Sequence, residues 1–239
     1  MSEKFQEDFI STVSHELRTP LTSIRGFAQT MLNSWDKLDD ESKKRFLKIV
    51  EEQSNRLIHL VENMLSVSKL QACAEKLIMK EVAPRPIIDV VVAVVANQYR
   101  NRKFEVSNLK NLPSIFVDVD KFQQVMTNII ENAAKYSFDN TTINIDLSVS
   151  GEFISIKVSD VGYEILEKDY EKIFDKFSRL DNPLTRQVQG NGLGLFIVKN
   201  LVQLMDGRIS VVSKNGVTTF EILFPIYNIE KQAGAKCIR

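Results

Sequence analysis

The chain has 239 residues, of which 44% are hydrophobic and 26% charged, and its 31 Lys+Arg balance 31 Asp+Glu. That length supports one or two domains with sizeable cores, and a formal net charge of zero argues against a general polyanion binder such as a nucleic-acid-coating protein. Two distant cysteines, Cys73 and Cys237, exclude a disulfide scaffold or a cysteine-rich zinc module and suit a reducing compartment.

No uninterrupted apolar stretch reaches the roughly 18 residues of a membrane span. The start, from Met1 to Phe9, is polar and acidic, unlike a secretory signal. The segment is therefore expected to be cytoplasmic, with no membrane or nucleic-acid contact of its own. A longer, membrane-anchored parent is compatible with this.

From Lys4 to about Asn33 apolar residues fall on a heptad. Ile10, Leu17, Ile24 and Met31 are seven apart, Val13, Pro20 and Phe27 fill the second seam position, and Phe9 and Leu21 widen the stripe. Ser34 to Asp39 reads as a short loop. A second heptad follows to about Leu70, with Val50, Leu57 and Met64 in one row and Phe46, Leu60 and Val67 in the other. Two helices cannot enclose such stripes. The spacing predicts an all-α hairpin that completes a four-helix bundle with a second copy of itself. An intramolecular bundle is the alternative, but the rest of the chain has no matching heptads.

The pattern changes near Gln71 to Pro86, which places a boundary at about residue 73. The expected layout is 1–73, 74–227 and a tail, 228–239. Ile87–Val95 is an apolar run that fits either a buried helix or a buried strand. Strands are expected at Lys103–Val106, Ser114–Val117, Thr142–Val149, Phe153–Ser159, Arg208–Ser213 and Thr218–Phe224. Helical spacing marks Asp120–Tyr136 and Leu193–Met205. Strand runs with intervening helices imply an α+β layer, one mixed sheet covered by helices.

Four segments carry residue types suited to chemistry. In Ser14-His15-Glu16-Leu17-Arg18-Thr19-Pro20 the heptad puts His15 opposite the buried seam, where its imidazole meets water. Glu16 could take the imidazole proton and leave a ring nitrogen as nucleophile. A lone surface histidine is usually only solvated. His59, with neither an acid at the next position nor a proline, is assigned that reading. In Asn128–Tyr136, Asn128 and Asn132 share a helix face with Lys135 a turn further. Amide oxygens suit a hard cation such as Mg²⁺, and a lysine there suits phosphate. Each of these residues alone would be an ordinary solvated face. Asp160-Val161-Gly162-Tyr163-Glu164 follows a predicted strand, and a buried Asp160 could accept from an adenine amino group. Gly190-Asn191-Gly192-Leu193-Gly194-Leu195 opens a helix, where backbone amides favour anions. It is neither a P-loop nor a dinucleotide fingerprint. Ser178 to Gln189, with Arg179 and Arg186, reads as a polar lid.

In this order the pieces resemble the catalytic core of a two-component sensor histidine kinase, from about Phe5 to Pro225. The His box is similar over Phe9–Leu21 and the Asn box over Asp120–Ser137. Ile173–Phe177 looks like the phenylalanine box, and Gly190–Leu195 like the second glycine box. The resemblance implies a phosphoacceptor, His15, with Glu16 as its acid/base partner. Thr19 would position water for dephosphorylating a partner. Asn128 and Asn132 would hold Mg²⁺ against ATP, Lys135 would contact phosphate and Tyr136 would lie near the adenine. Asp160 would read the adenine amino group beside Gly162. Gly190, Gly192 and Gly194 would pack below the triphosphate, with Arg179 in the lid. The implied ATP-binding fold is the mixed-sheet sandwich shared with gyrase-type ATPases. The implied partners are a second copy and a response-regulator receiver domain.

One position departs from the family pattern. The first glycine box usually has a second glycine two residues after the first, and Glu164 stands there. If φ is positive at Glu164, the strain amounts to about 1–2 kcal/mol, and its charge would repel nucleotide. That departure keeps open an alternative, a nucleotide-weak pseudokinase acting as a docking scaffold or as a phosphatase of its partner.

Overall fold

The computed structural model describes residues 3–71, 77–107, 112–178 and 192–227, with side chains in the first helix described from residue 13. The side chains of Phe9 and Ile10, and all of Cys73, Arg179, Gly190, Asn191, Cys237 and the tail 228–239, lie outside the described residues, as does the lid beyond Ser178. The chain divides into two compact units, Met1–Cys73 and Ala74–Arg239.

The first unit is a helical hairpin of α1 (Glu3–Ser34) and α2 (Asp40–Gln71), joined through a 3-10 turn at Trp35–Lys37. Asp39 starts α2 by accepting from Ser42 N at 2.6 Å, which satisfies one amide of the first turn. The apolar stripes meet along the hairpin. Met31, Leu60 and Val67 are buried, and the rings of Phe27 and Phe46 lie 5.2 Å apart. Pro20 sits inside α1 and is itself buried. It has no N–H, so the Glu16 carbonyl loses its usual helical donor. The stripes are wider than one hairpin can cover. Leu21, Ile58 and Leu65 are each more than half exposed in the single chain.

The second unit is an α+β layer. Strands β1 (Met79–Val82) and β3 (Ile115–Asp118) form an antiparallel pair. Strands β2 (Lys103–Val106), β4 (Thr142–Ser150), β5 (Phe153–Val161), β6 (Arg208–Lys214) and β7 (Val217–Pro225) form a sheet in the order β2-β4-β5-β7-β6. The β2–β4 pair is parallel and the other pairs are antiparallel, so the sheet is mixed. Among the described residues, three α-helices belong to this unit: α3 (Pro84–Gln98), α4 (Val119–Tyr136) and α5 (Gly194–Leu204).

The apolar run at Ile87–Val95 is helical. Pro84 opens α3 in the first turn, where its missing N–H costs nothing. Asp118 caps α4, accepting from Asp120 N and Lys121 N at 3.1 Å each, while its other oxygen accepts from Ile78 N at 2.7 Å. One buried carboxylate thus joins a helix start to the segment leading into β1. The inner sheet face is set by period two. Ile143, Ile145 and Leu147 of β4, Ile154, Ile156 and Val158 of β5, and Phe220, Ile222 and Phe224 of β7 are all buried. Phe224 meets Phe122 of α4 edge-on, with ring centroids 5.5 Å apart.

Candidate functional site

On the hairpin, His15 is exposed, and the carbonyl of its own residue accepts from the Thr19 hydroxyl at 3.3 Å. Thr19 is exposed one turn further along. Glu16 is turned toward α2. It is partly buried, and Glu16 Oε2 lies 3.7 Å from Nη2 of Arg56 on α2. The exposed imidazole of His59 is near Glu62 of its own helix, with Nδ1 3.5 Å from the carboxylate.

In the second unit, Asp160 lies within β5, where the sequence places it just beyond a strand ending at Ser159. The strand runs on because β7 continues to pair with it, as far as Val161 opposite Val217. Asp160 therefore takes the next inward position after Ile154, Ile156 and Val158. It is only 3% exposed. Thr218 of β7 stands directly opposite, and Ser213 of β6 is opposite Thr218. These three buried polar residues form one rung across the end of an otherwise apolar face. Ser213 and Thr218 satisfy each other, with their hydroxyls 2.7 Å apart. Among the described residues the Asp160 carboxyl has no hydrogen-bond partner, and burial pushes it up to about 7. A buried acceptor of this kind calls for a donor.

Gly162 follows as a bridge to Ser137 at the end of α4. A Cβ there would stand 2.9 Å from Ser137 Cα and closer still to the Tyr136 carbonyl oxygen. Only glycine lets β5 run this close beneath the helix end. Tyr136 is thereby placed beside the Asp160 strand. The loop beyond is pinned to the sheet. Ile165 N donates to Ser213 Oγ at 3.0 Å, and the Tyr170 hydroxyl donates to Ser213 O at 2.9 Å.

Helix α4 carries the amide pair. Asn128 Nδ2 donates to Gln124 O at 2.8 Å, which leaves its Oδ1 as an oxygen acceptor. That oxygen would lie 2.8 Å from a Cβ at Gly194, so Asn128 faces the first residue of α5. Asn132 is one turn along the same helix face and partly exposed. Lys135 Nζ pairs with Glu131 Oε2 at 3.1 Å. Gly192 has φ +65 and packs on the backbone of Phe177 and Ser178, where a Cβ would come within 2.6 Å of the Phe177 carbonyl carbon. Leu193, at the N-cap of α5, gives it no side-chain cap, and a terminus of this kind favours anions. Oxygen-only donors on Asn128 and Asn132 fit Mg²⁺ bound together with phosphate and water.

Glu164 is exposed and is not among the described non-glycine residues with positive φ. No glycine is required at its position, and the expected strain is absent. Two residues at these sites carry no sequence signal of their own. Thr218 joins Asp160 through strand register, and Arg56 joins Glu16 across a hairpin.

Two families match the chain. Residues 5–73 match the His Kinase A (phospho-acceptor) domain, and residues 117–228 match the histidine kinase-, DNA gyrase B- and HSP90-like ATPases. Sensor histidine kinase WalK of Bacillus subtilis is 34% identical over 227 residues, covering 91% of this chain and 36% of WalK. Signal transduction histidine-protein kinase ArlS of Staphylococcus haemolyticus is 35% identical over 220 residues, covering 92% of this chain and 48% of ArlS. The chain thus spans less than half the length of either relative. Among solved structures, histidine kinase ThkA in complex with response regulator protein TrrA superposes with TM-score 0.69 at 23% identity, over 92% of this chain and 61% of that one. Acinetobacter baumannii histidine kinase AdeS gives TM-score 0.66 at 23% identity, over 90% and 98%. Both support the fold.

Proposed function

The chain belongs to the sensor histidine kinases, matching their catalytic core, and from that membership we propose that it phosphorylates His15 from ATP and passes the phosphoryl group to an aspartate of a response-regulator receiver domain. Dephosphorylation of that regulator, with Thr19 orienting the water, is part of the proposal. The working unit is a homodimer through the hairpin, in the cytoplasm. Exposed Leu21, Ile58 and Leu65 supply the apolar surface that a second hairpin would cover.

The observation that carries the reading is Asp160, a buried carboxylate with no partner among the described residues. An adenine amino group supplies the missing donor. Tyr136 and Gly162 border the base. Lys135 and the start of α5, from Gly192 to Gly194, serve the phosphates, with Gly190 and Arg179 assigned by the family pattern alone. Asn128 and Asn132 would hold Mg²⁺, which when bound offsets the charge of the triphosphate.

The acceptor side follows from His15 and Glu16. A neutral imidazole nitrogen attacks the γ-phosphorus in line. The bond between that phosphorus and the β–γ bridging oxygen breaks, and ADP leaves with its electron pair. The proton on the other ring nitrogen passes to Glu16. The Asn128 amide cannot take a proton from water, so nothing at that position activates water in place of His15.

Incubation of the chain with γ-labelled ATP and Mg²⁺ tests the reading. Acid-labile label on the protein is expected, and its transfer to a receiver domain follows. Protein that binds ATP without becoming labelled would overturn it.

A further inference from the structure

We propose that Arg56 is a positioning residue for phosphoryl transfer, restricting the carboxylate of Glu16, the residue next to His15, to one place. The inference rests on the kinase reading above and adds a residue to it.

Neighbouring residues on a helix point about 100° apart. His15 projects into water, and Glu16 turns toward α2. An exposed glutamate samples several rotamers, whereas one held at a fixed point does not. The guanidinium of Arg56 supplies that point, 3.7 Å from Glu16 Oε2, with the arginine side chain 29% and the glutamate side chain 21% exposed. Partial burial shields the pair from the screening that makes most surface ion pairs worthless.

The local backbone gives a fixed point added value. Pro20 removes the donor that the Glu16 carbonyl would otherwise meet, so one helical hydrogen bond is missing at the residue whose side chain handles the proton. The Thr19 hydroxyl bonds the carbonyl of His15 and not that of Glu16. Across the hairpin, Arg56 reaches this turn of α1 from α2. The contact is a single N–O approach and not a bidentate fork, so an ammonium of similar reach can replace it.

The test uses the full chain with γ-labelled ATP and Mg²⁺, comparing wild type, Arg56→Ala, Arg56→Lys, Glu16→Gln and the double variant Glu16→Gln/Arg56→Ala. Thermal melting of each monitors folding. Arg56→Ala is expected to slow labelling about five- to tenfold with the KM for ATP unchanged, the size of effect that a misplaced group produces. Arg56→Lys is expected within about twofold of wild type. In the Glu16→Gln background Arg56→Ala should have no further effect, because the group it positions is gone. Equal losses in both backgrounds, or a loss that only tracks melting, would make Arg56 structural and overturn the proposal. So would full or faster labelling in Arg56→Ala. An unlabelled wild type would overturn the kinase reading itself, and this proposal with it.

Discussion

Gly162 runs so close beneath the last turn of α4 that an added Cβ would overlap the carbonyl oxygen of Tyr136. The contact fixes how far β5 can slide relative to the helix that carries Asn128 and Asn132. It therefore sets the distance between the adenine and phosphate ends of the proposed site. Both obstructing groups are backbone, so neither can rotate away.

Gly162→Ala should consequently destabilise the second unit by about 2–3 kcal/mol, the range of overpacked cores, and weaken nucleotide binding. Gly151 is the control. It has φ +59 but open space around it. Gly151→Ala should cost about 1 kcal/mol from backbone conformation alone and leave binding intact. Chemical denaturation of both variants measures the difference. Equal losses would mean that the close approach at Gly162 is relieved by relaxation.

Asp160 gives the site a pH dependence. Burial raises its carboxyl from 3.8 to about 7. An adenine amino donor favours the ionised form and lowers that value on binding. Nucleotide affinity should then be highest above pH 7 and fall by up to about tenfold per unit below it. The stability effect has the opposite sense. The folded state holds a proton that the unfolded chain has already lost, so the second unit loses stability as pH rises from about 4 to about 7. Asp160→Asn should flatten both trends, raise the melting temperature at pH 8 and weaken nucleotide binding there. Calorimetric titrations of both proteins at pH 6, 7 and 8 with a non-hydrolysable ATP analogue would decide. Parallel pH curves would show that the titrating group belongs to the ligand.

The elements that follow their own period are the legible ones. Heptads mark α1 and α2, and alternation marks β4, β5 and β7. Pro84, at the first position of α3, resolves a run that hydropathy alone leaves open. Strand β1 has no such pattern: it exists because Met79–Val82 pairs with Ile115–Asp118. Asp160 is legible as a candidate because of its motif, but its burial follows from the strand continuing one inward step past Val158. Thr218 and Arg56 are not legible, because register between strands and level between helices are not written in linear spacing.

His15 should be the labelled residue. It is exposed on the hairpin, and the fold does not depend on its side chain. His15→Gln should abolish acid-labile label with the melting temperature unchanged. His59→Gln should change labelling by less than about twofold, since that imidazole faces Glu62 of its own helix in water. Label surviving in His15→Gln would move the acceptor elsewhere.

Thr19 separates the two partner reactions. Its hydroxyl already donates to the His15 carbonyl, yet its oxygen keeps an acceptor site for water. Thr19→Ala should reduce regulator dephosphorylation about tenfold and autophosphorylation by less than about threefold. Timed decay of a phosphorylated receiver domain, set beside the labelling rate, gives the ratio. Equal losses would assign Thr19 to helix structure near Pro20.

Glu164 decides whether the unusual first glycine box weakens the kinase. Strain and charge are the two costs at issue there, and the geometry removes the first, since its backbone does not have a positive φ. The second depends on distance and screening. The carboxylate is exposed, and at physiological salt the Debye length is about 8 Å. Repulsion of a bound triphosphate is then a small part of the binding free energy. Glu164→Gly and Glu164→Gln should both bind a non-hydrolysable ATP analogue within about twofold of wild type at 0.15 M salt. Glycine at a position that does not need it should also lower stability by about 0.5–1 kcal/mol, through the larger entropy of the unfolded chain. A gain of tenfold or more that shrinks as salt rises would restore the charge penalty. Full binding and labelling in the wild type, with no gain in either variant, would leave the scaffold alternative without a residue to rest on.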